Sequence, residues 1–157
     1  MLFKTIMWAT DGTPNADHAL PYAKALAQQN GARLVIAHVV ERYAGHRVGG
    51  MAIHADAPEV EEKLKKLVGE LSDDGFSTDL KIESHVGPQP AHQVADLARD
   101  TGADLIVVGT RGHGAVKGLV LGSVTQRLLQ VAPCPVLVVP PVEPPTSETG
   151  EEVAHAG

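Results

Sequence analysis

Three times along this chain an amphipathic stretch closes on a glycine and a strand-like run follows, at Gly31, Gly75 and Gly102. Glycine enters the left-handed conformation that ends a helix without a Cβ penalty. Two of the runs, LVIAHVV from Leu34 to Val40 and LIVV from Leu105 to Val108, are nearly continuous in apolar residues. That pattern marks strands buried on both faces. A chain that repeats helix, glycine and strand has few options. It builds a parallel sheet, because each parallel pair needs a crossover and right-handed crossovers pack helices back onto the sheet.

The remaining elements fit the same plan. Phe3 to Ala9 is a short apolar run, and Thr10-Asp11-Gly12-Thr13-Pro14 is turn chemistry, with Thr13 suited to cap a helix and Pro14 to its first turn. Ala16, Ala19, Leu20, Ala23, Leu26 and Ala27 recur at helical spacing and predict one helix up to Asn30-Gly31. Residues 41–57 have no period and hold Gly45, Gly49 and Gly50, which predicts a long loop. Val60, Leu64, Leu67, Val68 and Leu71 mark a second helix. Thr78 to Val86 alternates in part and reads as a less buried strand. Ala91, Val94, Ala95 and Ala98 mark a third helix, Val124, Leu128 and Leu129 a fourth, and Val136 to Val139 the last strand. The expectation is an α/β fold, a doubly wound five-stranded parallel sheet with helices on both faces, Rossmann-like, occupying residues 1–140.

Residues 141–157 are rich in Pro and Glu, with too little apolar surface to offset their ordering entropy, and are expected to be disordered. Four Glu of the tail carry most of the net charge of -6. The body is nearly neutral and aromatics are only 3% of the chain. Neither the basic excess of a duplex binder nor the stacking platforms of a single-strand binder is present, so no nucleic-acid partner is expected. No apolar stretch reaches the roughly 20 residues of a membrane helix, and no signal-peptide pattern opens the chain. Cys134, the single cysteine, sits between Pro133 and Pro135. It cannot form an internal disulfide, which suits a cytoplasmic protein, and it reads as a buried thiol. His46, His54, His85 and His92 lack metal-ligand spacing, and His38 reads as a core or rim histidine.

In such a sheet ligands sit beyond the carboxyl ends of the strands, where strand order reverses. The loops after Ala9, Val40 and Val108 belong to that edge. The third contains Gly109, Arg111, Gly112, His113, Gly114 and Lys117 before Gly122-Ser123 opens a helix. Glycines let backbone amides approach an oxyanion, Ser123 adds a hydroxyl, and a helix N-terminus attracts phosphate. Two better-known phosphate motifs do not fit. A P-loop needs Ser or Thr after its Lys, and Lys117 precedes Gly118. The dinucleotide fingerprint belongs on an early strand, and here the third Gly is displaced.

The spacing Gly109-x2-Gly112-x9-Gly122-Ser123 resembles the ATP-binding signature of the universal stress protein family. The flanking LIVVG, GSVTQRLL and CPVLVVP are similar to that family as well, as are ATDGT near the start and AHVV at the second strand end. The resemblance covers about residues 2–140. It implies that Ala9, Thr10 and Asp11 face adenine and ribose, and that Val39 contacts adenine through its backbone. It further implies that Gly109 and Gly112 run along the ribose and phosphates, with Arg111, His113 and Gly114 in the same loop. Gly122, Ser123, Val124 and Thr125 would hold the phosphates of ATP with Mg2+ or Mn2+. Val136 to Val139 resembles the strand through which the family forms homodimers. Thr13 stands where the family often has Ser, and the acidic tail lies outside the resemblance.

The function implied is that of a nucleotide-dependent stress-response regulator, in which ATP orders the loop from Thr110 to Leu121 for an unidentified protein partner. Asp11, Ser123 and His113 form no obvious water-activating pair, so no catalytic residue is assigned, although slow hydrolysis or self-phosphorylation is permitted. Two alternatives use the same residues. One is a dimeric interaction module indifferent to ATP or preferring another nucleotide such as cyclic AMP. The other is a true ATP-hydrolysing enzyme.

Overall fold

The computed structural model describes residues 2–42, 58–86, 89–110 and 121–141. The elements are β1 (Thr5–Thr10), α1 (Pro14–Asp17), α2 (Leu20–Asn30), β2 (Arg33–Arg42), α3 (Pro58–Asp73), β3 (Thr78–Val86), α4 (Pro90–Thr101), β4 (Leu105–Gly109), α5 (Ser123–Val131) and β5 (Val136–Val139). The strands make one sheet in the order β3-β2-β1-β4-β5. Every pair is parallel, with Thr10 opposite His38 and Ala9 opposite Val108. The chain winds from β1 out to β3, then returns to the other side of β1 for β4 and β5. The expected doubly wound α/β sheet is therefore present, and its order reverses between β1 and β4.

Alternation along the strands sorts side chains onto two faces. Ile6, Trp8, Leu34, Ile36 and Val107 pack with Ala23 and Ala27 of α2 and with Leu64 and Leu71 of α3. Met7, Val35, Ala37, Ile106 and Val108 pack with Ala91, Val94, Ala95 and Ala98 of α4 and Leu128 of α5. Trp8 is fully buried, and its indole N–H donates to the Ala16 carbonyl at 3.2 Å. That bond satisfies the ring nitrogen and fastens α1 over the end of β1.

The single helix predicted through Ala16 and Ala27 is two. α1 stops at Asp17 and α2 begins at Leu20. The cause is Pro21, which has no N–H and whose ring would meet the carbonyl four residues earlier, so it is accommodated in the first turn of a new helix. The alanine spacing runs through the break and hides it. Gly31 and Gly102 do cap α2 and α4 in the left-handed conformation, at φ 61° and 69°. Thr13 occupies the N-cap position of α1 without a side-chain cap bond. β2 continues past Val40 to Arg42. The expected loop from 43 to 57 and the acidic tail beyond 141 lie outside the described residues.

Candidate functional site

Three strands and the helices α4 and α5 come together at the carboxyl edge of the sheet around a cavity of about 210 Å3. Its floor is Ala9, Val39 and Val108, from the ends of β1, β2 and β4. Pro90 and Val94 of α4 form one wall, and Val124 and Leu128 of α5 the other. Thr10, Asp11, His38, Gly109, Thr110 and Thr125 supply the polar rim. The result is an apolar slot with polar groups confined to its edge, the usual character of a small-molecule site.

The exit of β1 is held by hydrogen bonds of its own. The Gly12 N–H donates to Thr10 Oγ1 at 3.0 Å. Asp11 Oδ1 accepts both the Thr13 N–H at 2.9 Å and the Thr13 hydroxyl at 2.6 Å. This Asx turn uses the hydroxyl that would otherwise cap α1. Gly12 has φ 80°, and a Cβ there would lie 2.5 Å from Val60 Cγ1 on α3. Both the dihedral and the contact demand glycine.

The backbone of β2 sets the direction of the Val39 peptide group. Arg33 donates its N–H to Lys4 just before β1, while Leu34 donates to Ser77 before β3. Odd-numbered residues of β2 therefore turn their peptide groups toward β1. Val39 is one step beyond the last β1 pair, Thr10 with His38. The ladder would supply the Gly12 N–H to the Val39 carbonyl, but that N–H is given to Thr10 Oγ1. The Val39 carbonyl is left facing the slot.

Beyond the slot lies the start of α5. Gly122 is its N-cap and makes no side-chain cap bond, so the first N–H groups of the helix receive no acceptor from it. Ser123 is exposed there and lines an adjoining cleft of about 330 Å3 with Gln89, His92 and Arg127. The two spaces share Pro90 and Val124. Slot and helix end are therefore neighbours, and chemically opposite in character. The slot suits a flat apolar group, and the helix end suits an anion.

Of the residues singled out in the sequence, Ala9, Thr10, Asp11, Val39, Gly109, Val124 and Thr125 line the slot. Ser123 lines the adjoining cleft, and Gly122 heads α5 without lining either space. Arg111, Gly112, His113 and Gly114 lie outside the described residues. Sequence reasoning missed the α4 wall, Pro90 and Val94, and the contributions of Ala16, His38, Thr110 and Leu128. Pro90 and Val94 are four apart on one helix, so they share a face, but nothing local says that this face meets the strand ends. His38 is buried, as expected, and also lines the slot.

Comparison with known proteins bears on the same span. The sequence model of the Universal stress protein family matches residues 2–140. A universal stress protein of Thermus aquaticus is 39% identical over 144 residues, covering 88% of this chain and 99% of the relative. A solved universal stress protein family structure from Burkholderia pseudomallei is 29% identical, with TM-score 0.66 over 88% of this chain and 97% of the other. A universal stress protein solved in complex with cAMP is 25% identical, with TM-score 0.56 over 88% of this chain and 98% of the other.

Proposed function

The chain belongs to the universal stress protein family, and we propose that it is a cytoplasmic adenine-nucleotide-binding regulator whose ligand is ATP. The observation that carries this reading is the apolar slot at the reversal point between β1 and β4, with Asp11 on its rim and the uncapped start of α5 beyond it. The base fits between the floor of Ala9, Val39 and Val108 and the walls of α4 and α5. There the Val39 carbonyl can accept from an exocyclic amino group. Asp11 can accept from ribose hydroxyls. The first N–H groups of α5 and the Ser123 hydroxyl suit phosphate oxygens. A divalent ion, Mg2+ or Mn2+, would arrive with the phosphates as their counter-charge. Gly109, Arg111, Gly112, His113 and Gly114 complete this reading as the loop alongside the phosphates. No catalytic residue is assigned.

The test is calorimetric titration of the full chain with ATP and magnesium, ADP, AMP and cAMP, beside Gly122→Asp. Asp is a preferred N-cap, so α5 keeps its stability, while a carboxylate now stands where phosphate would bind. Micromolar ATP binding that weakens in Gly122→Asp, with AMP affected less, supports the reading. A second reading, that cAMP is the preferred ligand, is favoured by the related protein solved with it. Tighter binding of cAMP than of ATP would establish that instead. No binding of any of the four would sink both.

The chain further acts as a homodimer through β5. Thr110 donates its N–H to Val139, and Ile106 donates to Pro135, so odd-numbered residues of β5 face β4 and Val138 turns its N–H outward. Val138→Pro removes that outward donor and spares the β4 ladder, a change that an edge strand tolerates. Sedimentation should show a dimer for the wild type and a folded monomer for this variant. An undisturbed dimer would place the contact elsewhere.

A further inference from the structure

We propose that His38 is a positioning residue: it ties the ends of β1 and β2 together and thereby sets the orientation of Asp11 toward the nucleotide. The inference rests on the nucleotide-binding reading and deepens it.

His38 is only 6% exposed and lines the slot. It is the last residue of β2 to pair with β1, standing opposite Thr10. Its Nδ1 lies 2.9 Å from the Thr10 carbonyl oxygen. A carbonyl only accepts, so Nδ1 carries the proton and, in the neutral ring, Nε2 holds the lone pair. This bond is made by a side chain at the place where the β1–β2 ladder runs out. In the register that sets Thr10 opposite His38 the Val39 N–H also turns toward this buried carbonyl, so the ring is a second donor on it, beside the ladder.

The Thr10 carbonyl belongs to the peptide unit that leads into Asp11. Rotating that unit would break the His38 bond and swing the Asp11 carboxylate away from the rim. The bonds from Gly12 N–H to Thr10 Oγ1 and from Thr13 to Asp11 close within residues 10–13 and shape the turn. The His38 ring reaches across from the neighbouring strand, and its own next residue is Val39. It therefore adds a side-chain tie, beside the ladder, between the peptide that leads into Asp11 and the carbonyl edge of β2.

Three substitutions separate this role from simple filling of space. Asn carries its amide N–H at the position of Nδ1, Gln carries one at the position of Nε2, and Leu carries none. ATP with magnesium is titrated into each variant, and amide exchange at Gly12 and Thr13 is followed without nucleotide, with thermal unfolding as a check on folding. His38→Leu should bind about tenfold more weakly, the loss of one neutral hydrogen bond, and exchange faster at both amides. His38→Asn should restore both properties, and His38→Gln neither. Equal losses in all three variants, or unchanged affinity in His38→Leu, would overturn the proposal. A wild type that binds no ATP would defeat the nucleotide reading instead, and unchanged amide exchange in His38→Leu would then defeat the claim that His38 holds the turn.

Discussion

On one face of the sheet Trp8, Ile6 and Ile36 of the strands pack with Leu64 and Leu71 of α3 and with Ala23 and Ala27 of α2; on the other, the contributions of α4 are Ala91, Ala95, Ala98, Val94 and Leu97. The large side chains of the first face come from the strands and α3. On the second face α4 presents mostly alanines, and at the carboxyl end the sheet itself contributes only Ala9, Val39 and Val108 to the floor of the slot. Small residues leave room there. The lesson is a division of labour: cohesion is concentrated on one face and the ligand space on the other, so the two can be altered separately.

Trp8→Ala tests the cohesive face most severely. It removes the largest buried side chain and orphans the Ala16 carbonyl, and should cost about 4 kcal/mol in urea unfolding. A loss below about 1 kcal/mol would mean that this face is not where stability resides. Gly12→Ala should cost about 3 kcal/mol, from an unfavourable positive φ together with the clash against Val60. Adding Val60→Ala should recover the steric part and leave the dihedral part, which a double-mutant cycle reads directly. Complete recovery would show that the dihedral is unstrained.

On the other face, Val94→Phe puts a ring into the slot. Stability should change by less than about 1.5 kcal/mol, because the added atoms enter open space, while nucleotide binding is lost. A variant that binds normally would place the ligand outside the slot. The smallest effect belongs to Cys134, which packs against this face. Burial, and after it the charge of Asp104, holds its thiol above the ordinary range. The folded state therefore keeps a proton that the unfolded state releases, so this contribution to stability is complete below the ordinary thiol range and declines as pH rises through it. Alkylation by iodoacetamide near pH 8 should accelerate on adding urea; equal rates would show the thiol to be open in the native protein.

The architecture was legible because its signals are local. Glycine stops and apolar runs sit side by side in sequence, and each αβ unit carries its own. The break at Pro21 was obscured by a stronger local signal, the alanine spacing that continues on both sides of it. Within the site, Asp11 could be found because it directly follows a strand whose end defines the ligand edge, and Val39 through the resemblance of AHVV to the family's second strand end. Pro90, Val94 and Leu128 could not, because only tertiary packing decides which face of α4 or α5 meets that edge. His38 reads in the sequence as a core or rim histidine, and its 6% exposure agrees, but that reading is incomplete. Its bond to Thr10 depends on a register spanning 28 residues of chain, and no short-range pattern encodes it.

The strand order also sets a timetable. β1, β2 and β3 are consecutive in the chain and adjacent in the sheet, so they can pair as a chain emerges amino end first. The slot cannot exist then. Its centre needs β4, where Ala9 finds Val108, and its far wall needs α5. During synthesis the β1 edge must wait uncovered until the second half arrives, and a ligand can reward folding only after that. A chain cut short before residue 105 would have three strands in order and no slot.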